Sequence, residues 1–273
     1  MAEQDPRDIA RLTISLGRGD SPDRYCTEYA DFVFDYFMTP VSRRVGWGRY
    51  QHDCSIIVLP GTPDEYLAGS AGSYARRKLR RAERDGYTFA SIERDDYLDD
   101  IFAINTSMQA RQGRPMDEHY RKRPEPYGPL PEYTCPRHRM GTYGVLKDGH
   151  LVAYTWVYMS GEMCMFNTIL GHGDHMEAGV MYLLVAGVIR ELMTSAGLRY
   201  AMYERHTSGT EGLRFFKERM GFGPHWVDWQ RADEPVTSKL PLFLEQRASR
   251  WHALSRLRRV AGAAKRRLAR LLP

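Results

Sequence analysis

Between Thr142 and Leu170 apolar and polar residues alternate in three runs, Thr142 to Leu146, Leu151 to Met159 and Met163 to Leu170. Alternation with a period of two predicts half-buried strands. The joints are Lys147-Asp148-Gly149-His150 and Ser160-Gly161-Glu162, and Asp-Gly supplies the positive φ that a tight reversal needs, so the three runs predict an antiparallel meander. After Gly171-His172-Gly173-Asp174-His175 the period lengthens: Val180, Leu183, Leu184, Val188, Ile189 and Leu192 fall on one helical face. Gly197 ends that helix. Leu198 to Tyr203 reads as a buried strand, Gly209 to Met220 as a helix stopped by Gly221, and Phe222 to Gln230 as an aromatic strand. The order is β-β-β-α-β-α, with a strand after it.

Upstream the pattern is less regular. Leu12 to Leu16 predicts a strand, Tyr25 to Met38 a helix, and Val45 to Tyr50 and Ser55 to Leu59 two strands about a turn. Thr62 as N-cap, Pro63 at the first helical position and Asp64 and Glu65 at the positive end of the dipole predict a helix running to about Asp85, with Gly86 ending it. Tyr87 to Ile92 reads as a strand. Asp95 to Gln112 reads as a helix with Leu98, Ile101, Phe102 and Met108 on its apolar side. The proline-rich, basic run from Arg121 to Arg139 predicts an ordered loop, either beside a ligand or partner or serving only as a connector.

Composition narrows the class. A chain of 273 residues can bury one large core or two small ones. The apolar runs fall short of the ~20 residues of a membrane span and the polar start does not read as a signal peptide, so the expectation is a cytoplasmic protein. Cys26, Cys54, Cys135 and Cys164 share no Cys-x-x-Cys spacing, which argues against a zinc site or disulfide framework, and Cys164 reads as a small apolar residue in a sheet. The net charge of +5 is unevenly held: from Pro241 to Pro273 nine basic residues face the single acid Glu245, so the rest of the chain is net negative. The expected division is 1–84 as an N-terminal extension or degenerate half-domain, 85–235 as the main domain and 236–273 as a basic tail. Within that tail 249–272 is amphipathic, with Trp251, Leu254, Leu257, Ala261, Ala264, Leu268 and Leu271 along one side. Such a helix suits peripheral contact with an anionic membrane, nucleic acid, its own domain or a second copy in a homodimer.

Two segments carry a resemblance. One is Ser73-Tyr74-Ala75-Arg76-Arg77-Lys78-Leu79-Arg80-Arg81-Ala82-Glu83-Arg84-Asp85-Gly86-Tyr87. The other runs from Gly144-Val145-Leu146-Lys147-Asp148-Gly149-His150 through Leu151-Val152-Ala153-Tyr154 to Gly212-Leu213-Arg214-Phe215-Phe216-Lys217 and Gly221-Phe222. Over roughly residues 65 to 230 their order resembles the GNAT acyltransferase fold, and within it the FemAB/FemX and aminoacyl-transferase branch. The resemblance implies an α/β (α+β) fold with a mixed, mostly antiparallel central sheet flanked by helices. It also implies an N-acyltransferase joining an activated acyl or aminoacyl donor to a small-molecule or peptide amine acceptor.

Acyl transfer needs a base for the amine and a donor group aimed at the oxyanion. Glu204, at the end of a predicted strand, is the candidate base, with pairing to Arg199 or Arg205 as the plain alternative. Tyr203 and His206 are further proton carriers. Phe216-Lys217 matches the lysine that steadies the tetrahedral intermediate in FemX-like proteins, and a solvent-facing lysine is the alternative. Asn167, Thr168, Gly171, Gly173 and Gly179 mark the donor side, where the family presents glycine-loop amides to the coenzyme A pyrophosphate. Asp174 and Glu177 place negative charge there, which leaves acyl-CoA, a carrier protein and aminoacyl-tRNA as open donors. Arg76, Arg77 and Arg80 form either a clamp for substrate phosphates or a solvated face. His172, Asp174, His175 and Glu177 lack the second cluster that a metal motif requires, so no metal is expected. A binding protein that keeps the fold without the chemistry is the rival of another class.

Overall fold

Eight strands share one sheet in the computed structural model, which describes residues 9–17, 24–40, 42, 46–128 and 135–231. In chain order the elements are β1 (Ala10–Ser15), α1 (Arg24–Met38), β2 (Cys54–Val58), α2 (Ser73–Arg84), β3 (Tyr87–Ser91), α3 (Leu98–Thr106), a short hairpin of β4 (Ala110–Arg111) and β5 (Arg114–Pro115), β6 (His138–Lys147), β7 (His150–Ser160), β8 (Met163–Gly171), α4 (Val180–Ser195), β9 (Tyr200–Arg205), α5 (Glu211–Arg219) and β10 (Gly223–Gln230). The sheet order is β1-β10-β2-β9-β8-β7-β6-β3. All neighbours are antiparallel except β1 with β10 and β8 with β9.

The predicted meander is β6-β7-β8, and its first turn has Asp148 at φ 52 and Gly149 at φ 84, the left-handed pair that Asp-Gly supplies. Alternation along the strands separates two cores. Cys164, Phe166, Ala201 and Tyr203 face α4, whose Leu184, Val188, Ile189 and Leu192 are fully buried. Met163, Met165, Tyr200 and Met202 face α1, through Tyr29, Ala30, Val33 and Phe37. Burial is worth roughly 1.5–3 kcal/mol for each large aliphatic side chain, so packing rather than helix propensity holds α4. Cys164 sits in the first core as expected, its thiol pushed up by burial.

The division expected at residue 84 does not separate two cores. β2 lies between β9 and β10, β1 extends the edge beyond β10, and Leu79 and Ala82 of α2 pack in the same core as α4. Residues before 85 therefore complete the sheet rather than precede it.

Three local expectations change. The helix foreseen from Thr62 begins only at Ser73, because Leu67 at φ 64 and Gly69 at φ 72 break the right-handed path after the first turn. The helix foreseen to Gln112 stops at Thr106: the Ser107 hydroxyl donates to the Ile104 carbonyl oxygen and Arg111 donates to the same oxygen at 2.7 Å, turning the chain into the β4-β5 hairpin. Described residues 46–53 form turns, not the strand expected over Val45 to Tyr50. The amphipathic tail and residues 129–134 of the proline-rich run lie outside the described residues.

Candidate active site at the split between two parallel strands

β8 and β9 pair only at Met163 with Tyr200, Cys164 with Ala201 and Met165 with Met202. Beyond that point each strand carries one residue too many for its other neighbour. On β8 the register against β7 shifts between Phe166 and Thr168, so Asn167 is the extra residue. On β9 the register against β2 shifts between Met202 and Arg205, so Tyr203 and Glu204 oppose Ser55 alone. Bulges bend a strand and increase its twist, and two of them just past the last shared pair steer β8 and β9 apart. Glu204 takes φ 55 there, an uncommon conformation for a residue with a Cβ.

The carboxyl end of β9 gathers the polar chemistry. Glu204 is half-buried, and its Oε1 accepts from the Tyr50 hydroxyl at 2.6 Å. Arg199, the alternative partner, instead donates to Glu162 at 2.9 Å. Asp53, buried and at φ 57, holds the next loop: its carbonyl oxygen accepts from the His206 amide at 2.7 Å, and its carboxylate accepts from the Thr207 amide at 3.0 Å and from the Thr207 hydroxyl. His206 Nδ1 lies 3.3 Å from the Ser55 hydroxyl, and burial lowers its pKa against the nearby Asp53 charge.

Lys217 enters from α5. Thr210 precedes the helix, Glu211 stands at its positive end, and Phe216 packs beside Tyr182 and Tyr203. That seating turns Lys217 inward, where it is fully buried, which excludes the solvent-facing alternative. Its Nζ donates to the Arg205 carbonyl oxygen at 2.6 Å and to the Ser208 hydroxyl at 3.0 Å, and lies 5.1 Å from the centre of the Tyr203 ring. Burial pulls its pKa down to about 8, with the charges of Glu204 and Asp53 opposing the fall. An ammonium has three donors, and two are spent on this loop. Tyr203 lies in the apolar core with Phe166 and Phe222, its phenol pushed up by burial, so it forms the wall beneath Lys217.

The donor-side glycines sit together at the turn from β8 into α4. Each has a packing reason: a Cβ at Gly171 would meet Met181 and Met176, at Gly173 Met108, and at Gly179, with φ 93, the Lys78 carbonyl oxygen at 2.7 Å. Several amides of this turn are already engaged, Gly173 by the Ser107 hydroxyl at 3.0 Å, Asp174 by His172 Nδ1 at 3.3 Å and Gly179 by the Met176 carbonyl oxygen at 3.4 Å. Asp174 is largely exposed. A diphosphate does not fit this turn as it stands, with engaged amides and an exposed carboxylate beside them. Positive charge comes instead from α2, which crosses the turn at Lys78. On α2, Arg77 and Arg80 are exposed, while Arg76 is committed to the Leu67 and Gly69 carbonyl oxygens. Asn167 and Thr168 lie on the opened part of β8.

The β4-β5 hairpin, absent from the sequence reading, brings its tip to the loop that covers Lys217. A Cβ on Gly209 would lie 3.0 Å from the Gln112 side-chain oxygen, and one on Gly113 would lie 3.8 Å from the Thr210 methyl. A hollow lined by Asn105, Met108, Gln109, Met116 and Arg121 lies at the hairpin's base. Tyr50, Asp53 and Ser208 were also missed, although the polar run Gln51-His52-Asp53 between apolar stretches was a visible signal.

A mostly antiparallel sheet whose one central parallel pair splays, with a helix crossing between the splayed strands, decides the architecture. The fold is GNAT-like. Scans against protein-family profiles and curated proteins find no match. Similar solved structures include the C-terminal domain of a candidate lysylphosphatidylglycerol synthetase from Agrobacterium fabrum, at 14% identity over 64% of this chain and 58% of that one with a TM-score of 0.42. A GCN5-related N-acetyltransferase from Kribbella flavida matches at 17% identity over 71% and 59%, TM-score 0.37. FemX matches at 11% identity over 70% and 62%, TM-score 0.45. Each match covers less than two thirds of the other protein's length. β2 lies beside β9, and the turn leading into it brings Tyr50 and Asp53 to the split.

Proposed function

We propose that the chain is an N-acyltransferase that forms an amide between an activated acyl or aminoacyl donor and an amine acceptor at the split between β8 and β9. One observation carries the reading: the Lys217 ammonium, fully buried, is bonded to the carbonyl of Arg205, the residue after the half-buried Glu204. This pairing supports a base and an oxyanion-stabilising cation acting at one strand end.

In this reading Glu204 takes a proton as the amine attacks the donor carbonyl. The carbonyl electrons move onto oxygen, and Lys217 meets the charge that develops there. Collapse of the tetrahedral intermediate expels the donor's thiolate or ribose oxygen, which leaves with the proton that Glu204 received. Pre-set cations matter most where water is excluded, because charge interactions strengthen as the local dielectric falls. Two of the three ammonium donors are spent on the Arg205 carbonyl oxygen and the Ser208 hydroxyl, which leaves the third for the oxyanion.

The donor turn favours a donor other than a diphosphate seated on loop amides. Aminoacyl-tRNA is the reading preferred over acyl-CoA, with the exposed Arg77 and Arg80 of α2 as phosphate contacts. Acyl-CoA would need the same side chains for its diphosphate. Purified protein heated separately with acetyl-CoA, longer acyl-CoAs and tRNA tests this, since a ligand of the folded state raises Tm. A rise with tRNA that fades with added salt is expected. A rise with acyl-CoA alone would reverse the choice of donor, and no rise with any of them would remove both of these donors.

A further inference from the structure

Cys26 of α1, Cys135 just before β6 and His138 at the start of β6 converge on one buried point, and none of the three belongs to the candidate site at the β8-β9 split. Their donor atoms all lie within 4.8 Å of one another, and all three residues are buried. Cys135 Sγ is 3.3 Å from His138 Nδ1. In a tetrahedral zinc site with Zn–S of about 2.3 Å and Zn–N of about 2.0 Å, the sulfur-to-nitrogen edge is about 3.5 Å, so a shift of a few tenths of an ångström brings this pair into place.

The histidine is already set for ligation. Its Nε2 lies 2.9 Å from the Leu16 carbonyl oxygen, which can only accept, so Nε2 carries the proton and the Nδ1 lone pair points toward the sulfurs. The same carbonyl accepts from the Ser160 hydroxyl at 2.8 Å and is held in place. Tyr29 packs edge-on against the imidazole at 6.3 Å and donates its hydroxyl to the Arg139 carbonyl oxygen at 3.0 Å. A backbone carbonyl on the far nitrogen of a ligating histidine is the usual orienting contact.

We propose that Cys26, Cys135 and His138 form a zinc site that ties α1 and the end of β1 to the start of β6. Two thiolates and a neutral imidazole suit a borderline-soft cation and not magnesium or calcium. Two thiolates also cancel the dication's charge, which removes the main cost of burying it. A fourth, small ligand such as water completes the tetrahedron. The sequence shows Cys135 and His138 as a Cys-x-x-His pair but could not disclose the site, because Cys26 lies in α1, in a distant part of the chain.

The test uses tag-free full-length protein, reduced and passed through metal-free buffer, with zinc then added. Elemental analysis after gel filtration should find about one zinc per chain, with Tm raised by zinc and lowered again by a chelator. Cobalt(II) in place of zinc should give the absorption of thiolate-to-cobalt charge transfer. Cys135→Ser and His138→Gln should each weaken zinc retention at least ten-fold. Reduced wild-type protein that retains no zinc and gives no thiolate-cobalt band would overturn the proposal whether or not the variants fold. So would full zinc retention by a Cys26→Ser/Cys135→Ser double variant, or a Cys26–Cys135 disulfide whose reduced form takes up no metal.

Discussion

The Tyr50 hydroxyl donates to Glu204 Oε1 at 2.6 Å. This bond joins the turn before β2 to the bulge on β9, so the N-terminal part of the chain positions the candidate base. Tyr50 is buried against Phe37 and Trp229 as well, and the Trp229 indole lies within hydrogen-bonding reach of its carbonyl oxygen. Tyr50→Phe keeps that packing and removes one hydrogen bond to a carboxylate, a loss of about 1–3 kcal/mol. Urea unfolding should show that loss as a lower midpoint at unchanged slope.

Glu204→Gln keeps the shape and an acceptor for Tyr50, so it forfeits only the charge-assisted part of that bond and should unfold within about 1–2 kcal/mol of the parent. Transfer should nevertheless fall by roughly 10²–10⁴, the usual contribution of a positioned base. Single-turnover rates with an amine acceptor measure it; an unchanged rate would move the base elsewhere, with His206 next in line.

Lys217 gives a prediction with a sign. Its pKa is pulled down to about 8 from the ordinary lysine value of 10.5, so above about pH 8 the folded protein holds fewer protons than the unfolded chain. Stability then rises with pH from this group between about 8 and 10.5, as the cost of burying the ammonium is relieved. Activity should move the opposite way, falling as the ammonium deprotonates. In Lys217→Met both trends should vanish, with turnover lower by roughly 10²–10³. Thermal melts and rates across this pH range separate the two effects.

Gly179 leads into α4 at φ 93, with the Lys78 carbonyl oxygen 2.7 Å from where a Cβ would stand. Gly179→Ala combines left-handed strain with a backbone clash and should cost about 2 kcal/mol or more. Equilibrium unfolding reads this directly. Gly149→Ala, at positive φ with open space around it, should cost about 1 kcal/mol, since only the conformational penalty applies.

Much of the core domain was legible because its signals are local. Asp148-Gly149 fixed a hairpin, the spacing of Leu184, Val188 and Leu192 fixed a helical face, and Gly221 fixed a helix end. The errors lay where distant atoms override local preference. Thr62-Pro63 opened only one turn because Tyr66 and Leu67 are drawn into the core. Asp95 to Gln112 divided because Arg111 reaches back to Ile104 and across to the Gly171 carbonyl oxygen at 2.8 Å.

Glu204 and Lys217 were named from strand position and from the Phe216-Lys217 resemblance, yet neither signal told whether they were buried or exposed. The sequence by itself determined the order of elements from β6 to β10, the turns between them and the candidate residues, because period, glycine and capping chemistry act over a few residues. Only the tertiary structure decided that β2 enters the sheet beside β9, that Tyr50 and Asp53 therefore reach the split, that Lys217 is buried, and that Cys26 meets Cys135 and His138. Those depend on which distant surfaces pack together, and strand pairing across more than a hundred residues leaves no local trace in the chain.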